Sequence, residues 1–89
     1  MQTKVLDEVT EERARQDGIW GGAQTDDARK TPEDWCNDID AYAVWARQMH
    51  RMGAQEKYRN RMKQIAALAV AACESYDRKI FFLHPLCTP

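Results

Sequence analysis

Residues 65–73 read IAALAVAAC, a run that is small and apolar on every side of a helix. A helix that is apolar all round is normally enclosed by other helices instead of lying on a surface. One neighbouring helix cannot enclose it. The run therefore predicts an all-α fold in which several helices surround this segment.

The run belongs to a predicted third helix over 54–81, which follows a second over 32–52. Thr31-Pro32 gives the second helix a capping hydroxyl and a proline in its first turn, and Gly53 ends it. Apolar residues recur every three or four positions in both helices. The second helix carries Trp35, Ile39, Tyr42, Ala46 and Met49, and the third carries Tyr58, Met62, Ile65, Ala69, Ala72, Tyr76 and Ile80. Two matching stripes joined at Gly53 predict a long antiparallel helical hairpin.

A short N-terminal helix over 2–17 is predicted before the hairpin, because this stretch lacks Gly and Pro and is rich in Glu, Arg and Ala. A Gly-rich loop over 18–31 and a tail over 82–89 complete a single helical domain. The first helix could cover part of the apolar run, packing on its own chain or on a neighbour. A second subunit would cover the rest, so we expect a homodimer or a higher homo-oligomer.

Composition limits the classes of partner. Thirteen Lys and Arg balance fourteen Asp and Glu, so no basic field favours duplex nucleic acid or a membrane surface. Three cysteines without metal-ligand spacing favour a reducing compartment over a disulfide framework or a zinc site. Neither a signal peptide nor a membrane span is apparent, so we expect a cytoplasmic protein.

Two acidic pairs are candidate magnesium ligands. In a hairpin, the start of the second helix lies beside the end of the third, and carboxylates converging from two helices can bind Mg²⁺. The candidates are Asp34, Asp38, Glu74 and Asp77. The alternative is structural, since acids in a first turn favour the helix dipole and Glu74 can pair with Arg78.

Trp20 lies among glycines, with Gly18 before it and Gly21 and Gly22 after it. Three interpretations stay open: a plug that folds onto the hairpin, a platform that stacks on a nucleotide base, or an anchor for a protein partner. Arg13 and Arg15, just upstream, could supply charge to a phosphate.

Three stretches carry a resemblance to a known family: EVTEERARQDGIWGG at 8–22, TPEDW at 31–35 and QIAALAVAACESYDRK at 64–79. Over about residues 5–79 the chain looks like small phage and prophage proteins that resemble MazG-like all-α NTP pyrophosphatases. The resemblance implies a helical, oligomeric, nucleotide-handling protein.

Active members of that family hold magnesium with paired acids on successive helices, and this chain departs from the pattern. The second helix offers only Asp38 and Asp40, and the middle of the third offers Gln64, Ala66 and Ala67 where acids are expected. A site short of carboxylates would lose most of the charge stabilisation that phosphoanhydride hydrolysis needs. The departures weigh against an active enzyme.

Three functional hypotheses follow from the sequence. The first is a phage-type protein that binds a nucleotide or nucleotide-derived signal without turnover, through Trp20, Arg13 and Arg15, in counter-defence. The second is an inhibitor of a host defence complex that binds its partner through Phe81, Phe82 and Leu83. The third is a degenerate magnesium-dependent pyrophosphatase.

Overall fold

Three helices make up the computed structural model, which describes the backbone of residues 2–20 and 30–83 and the side chains of 3–19 and 30–78. They are α1 (Gln2–Trp20), α2 (Pro32–Arg51) and α3 (Gln55–Leu83). The described residues contain no strand. The prediction of an all-α fold is confirmed.

Helix α2 begins where the sequence predicts. The Thr31 hydroxyl accepts a hydrogen bond from the Asp34 amide, and the Asp34 carboxylate accepts one from the Thr31 amide, which is a complete capping box. The helix ends at Arg51, one residue before the predicted end. Gly53 follows with a φ of 77°, a left-handed conformation that glycine adopts without a steric penalty.

The largest correction to the helix bounds concerns the end of α1. Gly18, Ile19 and Trp20 were predicted to lie in the loop, but they continue the helix, which ends three residues later than expected. A helical glycine costs only about 1 kcal/mol relative to alanine, so one glycine does not end a helix that is otherwise favourable. The rest of the predicted loop, residues 21–29, lies outside the described part, as does the side chain of Trp20.

The apolar core lies between α2 and α3. Trp35, Leu68 and Ala71 are buried together, and three half-buried side chains pack against them: Ile39, Tyr42 and Ala72. Trp35 comes from the first turn of α2, and its partners on α3 come from the middle of that helix onwards. Near the turn at Gly53, the His50 and Tyr58 rings are 5.8 Å apart. The contacts therefore pair the start of α2 with the later half of α3 and the end of α2 with the beginning of α3.

The inner face of α3 differs from the predicted stripe. Met62, Ala69 and Tyr76 were expected to face α2, but all three are exposed. The residues that are buried instead are Gln64, Ala67, Leu68, Ala71 and Ser75. Spacing alone cannot distinguish the two faces here, because apolar residues recur every three or four positions on both sides of IAALAVAAC.

Helix α1 packs on α3 of the same chain. The described backbone of α1 does not come close to the backbone of α2. Two of its polar side chains, Glu12 and Gln16, are buried. Gln16 Nε2 donates to Glu12 Oε2 at 3.2 Å and to the Gln64 carbonyl of α3 at 3.5 Å. Hydrogen bonds therefore contribute to this contact, because buried amides and carboxylates are costly unless they are paired.

An ion pair joins α1 to α3 at the other end of the contact. Both guanidinium Nη atoms of Arg59 donate to the two carboxylate oxygens of Glu8, each at 2.8 Å. The hydrogen bonds from Arg59 lower the pKa of Glu8 from 4.5 to about 2, and the positive charge of Arg59 adds to the effect. This two-point geometry is the strongest form of a carboxylate pair.

Leu68→Ala should lower the free energy of unfolding by about 2–5 kcal/mol, because it removes a fully buried side chain at the centre of the core. Val44→Ala is the matched control, since Val44 is 50% exposed on α2; we expect it to cost less than about 0.5 kcal/mol. Urea unfolding at one fixed protein concentration measures both. Equal losses from the two substitutions would contradict the assignment of the core.

Stability should fall as the pH drops from 4.5 towards 2. A carboxyl whose pKa is lower in the folded than in the unfolded state stabilises the fold above its unfolded pKa and loses that contribution as the pH falls through its folded pKa. Glu8→Gln should flatten this part of the stability–pH curve, and Glu11→Gln, at an exposed position of the same helix, should not. Urea midpoints measured from pH 6 to pH 2 test this. A Glu8→Gln curve parallel to that of the wild type would contradict it.

Candidate ligand-binding site

A cavity of about 350 Å³ lies between the beginning of α2 and the later half of α3. It is lined by Pro32, Trp35, Cys36, Ile39, Ala72, Cys73, Ser75, Tyr76 and Asp77. Its volume falls at the lower end of the range of roughly 300–1,000 Å³ that is usual for small-molecule sites. Cys36, Cys73, Tyr76 and Asp77 are exposed, so the cavity opens to solvent at this edge.

The local sequence explains the space. On α2, Trp35, Cys36 and Ile39 lie on one side of the helix because they are one, three and four positions apart. On α3, the facing residues Ala72, Cys73 and Ser75 are small, so they do not fill the gap between the helices. The result is an apolar slot with an aromatic ring from each helix, Trp35 and Tyr76.

Trp35 forms the inner wall of the cavity and is only 4% exposed. The Nζ atom of Lys30 lies 4.2 Å from the centroid of its ring, a cation–π contact. Lys30 Nζ also bonds Asp38 Oδ2 at 2.7 Å. The indole Nε1 is buried and has no hydrogen-bond partner among the described residues.

Both arginines that the sequence proposes as phosphate ligands pair with carboxylates of their own chain. Arg13 bonds Asp17 at 2.8 Å and Glu74 at 2.9 Å. Burial disfavours its charged form, but these two hydrogen bonds outweigh burial and raise the pKa of the guanidinium above its ordinary value. Neither Arg13 nor Arg15 lines the cavity.

Arg15 pairs with Glu12 on α1 through two hydrogen bonds, of 2.9 and 2.6 Å. These bonds lower the pKa of Glu12 against the opposing effect of burial and raise the pKa of Arg15. The pair keeps the charge on a carboxylate that is almost enclosed by the α1–α3 contact. Arg15 therefore neutralises Glu12 as well as presenting its half-exposed side chain to solvent.

The four proposed magnesium ligands have separate surroundings. Asp34 belongs to the capping box, Asp38 bonds Lys30, Glu74 bonds Arg13, and Asp77 lines the cavity. Within residues 2–20 and 30–83 no group of three or more His, Cys, Asp or Glu side chains is arranged to hold a metal ion. The helix cap and the neighbouring cations already bond three of the four carboxylates, and the role of these residues as magnesium ligands stays a prediction.

The proposed partner interface falls at the end of α3. Phe81, Phe82 and Leu83 are helical, and the helix continues two residues beyond the predicted end at 81. Their side chains lie outside the described ones, so their role stays a prediction.

Sequence reasoning missed both the cavity and the buried polar residues. The cysteines were assessed only for disulfide pairing and metal-ligand spacing, and Glu12 and Gln16 were given no role of their own. A usable signal for the polar pair was present, since Glu12 and Gln16 are four residues apart and therefore share one face of a helix. The cavity has no such signal, because it depends on how far apart α2 and α3 lie.

Comparison with known proteins finds no family model, no curated protein and no solved structure that matches this chain. None of the helices in the described part combines the length and the apolar character needed to cross a bilayer.

Proposed function

We propose that the protein binds a nucleotide, or a signal molecule derived from one, without turnover, with the base in the cavity between α2 and α3. The observation that carries the proposal is the cavity itself, with its apolar walls, an aromatic side chain from each helix and a carboxylate at the mouth. We also propose that the protein is related to the MazG-like phage proteins that it resembles, and that it acts in counter-defence in the host cytoplasm.

A planar base suits this slot better than a flexible chain. Tyr76 is 61% exposed at the mouth, so its ring offers a face on which a base can stack. Stacking of this kind contributes about 1–3 kcal/mol per base in proteins that bind single-stranded nucleic acid. The Asp77 carboxylate can accept hydrogen bonds from the amino or imino groups of a base, which a purely apolar ligand lacks.

The anionic part of the ligand would meet cations at the same end of the molecule. Lys30 touches the ring of Trp35, and Arg13 bonds Glu74, three residues before Asp77 on α3. A phosphate group of the ligand would replace Asp38 as the partner of Lys30, or Glu74 as the partner of Arg13. Trp20 and Arg15 remain predicted contacts of the bound ligand.

Exposed apolar side chains favour a second candidate function, the inhibition of a host protein complex. Leu6 and Ile19 on α1 and Trp45 on α2 are all exposed. Large apolar side chains that remain exposed often mark protein interaction sites. In this alternative Phe81, Phe82 and Leu83 extend the binding surface.

Isothermal titration calorimetry against nucleoside triphosphates and cyclic oligonucleotides, with magnesium, tests the first function. Mass spectrometry of each mixture then shows whether the ligand is intact. We expect saturable binding of at least one compound, recovered unchanged. Release of pyrophosphate would replace the proposal with a pyrophosphatase, and absence of binding across the panel would favour the protein partner.

Cys36→Leu should weaken that binding about tenfold or more, because the larger side chain enters the cavity. Asn37→Leu is the matched control, since Asn37 is also exposed in the same helical turn but does not line the cavity. We expect the control to change the affinity less than twofold. If both variants bind like the wild type, the base does not occupy this cavity.

A further inference from the structure

One face of α3 is covered by neither α1 nor α2. Met62 is 43% exposed, Val70 40% and Tyr76 61%, and Ala69 and Cys73 are exposed as well. The core lies on the opposite face of α3, and Met62, Cys73 and Tyr76 border the depressions beside α1 and α2 while remaining exposed. Three large apolar groups on one surface of so small a protein call for a partner.

The spacing of this face is that of a coiled-coil seam. Successive members are four, three, four and three residues apart, which is the heptad pattern of alternating a and d positions. We call these five residues the outer seam: Met62, Ala66, Ala69, Cys73 and Tyr76. A seam with this repeat fits a partner helix that has the same repeat.

The surface on either side of the outer seam can receive side chains. On one side is the cavity, which Cys73 and Tyr76 share. On the other is a groove of about 190 Å³ between α1 and α3, lined in part by Val5, Val9, Met62 and Ala66. The small residues at the centre of the seam allow two helices to approach closely, and the depressions accommodate the larger ends.

Charge determines which partner fits. Lys63 and Asp77 lie seven residues before and seven residues after Val70, so all three occupy the same heptad position beside the seam. In an antiparallel pair of identical helices, this heptad position of one helix lies opposite the same heptad position of the other. With the two-fold axis beside Val70, each Lys63 would meet an Asp77, and Val70 would meet its own copy.

We propose that a second copy of this chain packs antiparallel on the outer seam, with the two-fold axis beside Val70. Ala69 then lies opposite Cys73 of the partner subunit, and Ala66 opposite Tyr76 of the partner subunit. Lys63 pairs with Asp77 of the partner subunit, once on each side of the axis. The pairing goes beyond the proposed ligand binding and needs no ligand, although the second copy would form part of the cavity's rim.

Sedimentation equilibrium without any ligand tests the surface. The wild type should be a dimer, and Val70→Asp should be a folded monomer, because two carboxylates would face each other across the axis. Val44→Asp, at a valine of α2 that is 50% exposed, should remain dimeric. A monomeric wild type, or a dimer that Val70→Asp leaves intact, would overturn the proposal.

Charge exchange tests the antiparallel orientation. Asp77→Lys and Lys63→Asp should each weaken dimerisation about tenfold, because like charges then meet twice per dimer. The double variant Lys63→Asp/Asp77→Lys should recover most of the wild-type affinity. Circular dichroism monitors folding, because Lys63 also lies close to Glu8 and Glu12 of α1.

A double variant that dimerises no better than the single ones, while all remain folded, would overturn the antiparallel pairing. Since no ligand is present in either experiment, failure here is distinct from failure of the nucleotide proposal.

Discussion

The whole arrangement depends on the inner face of α3, against which both other helices pack. The described backbones of α1 and α2 each lie close to that of α3 and not close to one another, so both helices depend on α3 for their position. Leu68 is fully buried and its neighbours Ala67 and Ala71 are small. The small residues beside Leu68 let both other helices approach α3 closely. Because protein interiors are densely packed, this point has no empty space to absorb a change in side-chain size.

The two contacts with α3 have different chemistry. Apolar packing centred on Trp35 holds α2, whereas the polar bonds between α1 and α3 run from Gln16 to the Gln64 carbonyl, from Arg59 to Glu8 and from Arg13 to Glu74. Polar contacts contribute less net stability than burial of large apolar side chains, because each exchanges a bond with water. α1 is therefore the helix that should detach first in acid, when its carboxylates become protonated.

Local rules account for the parts of the fold that could be predicted. Thr31 and Pro32 fix the beginning of α2, and Gly53 fixes its end, because caps and positive φ depend on only a few neighbouring residues. The rotation of α3 could not be derived this way, since both of its faces satisfy the same spacing. The predicted end of α1 was wrong because Gly18 permits a loop without requiring one.

In the candidate site, too, local features could be predicted and features that depend on helix packing could not. The spacing of the carboxylates predicted candidate magnesium ligands, but it could not show which cations would pair with them. Lys30 pairs with Asp38 and Arg13 with Glu74, and these pairings depend on the positions of three elements at once. The apolar cavity beside them arises from Ala72 and Cys73, residues whose importance lies in the space that they leave.

We propose that α3 has two packing faces, one for its own core and one for a second copy of the chain. The most direct measurement is an isotope-filtered NOESY spectrum of protein mixed from ¹³C-labelled and unlabelled chains. We expect intermolecular cross-peaks between the Ala66 methyl group and the Tyr76 ring, and between Val70 methyl groups of the two copies. Cross-peaks from Ala66 to Ala66, as a parallel pair would give, or no intermolecular cross-peaks on α3, would contradict it.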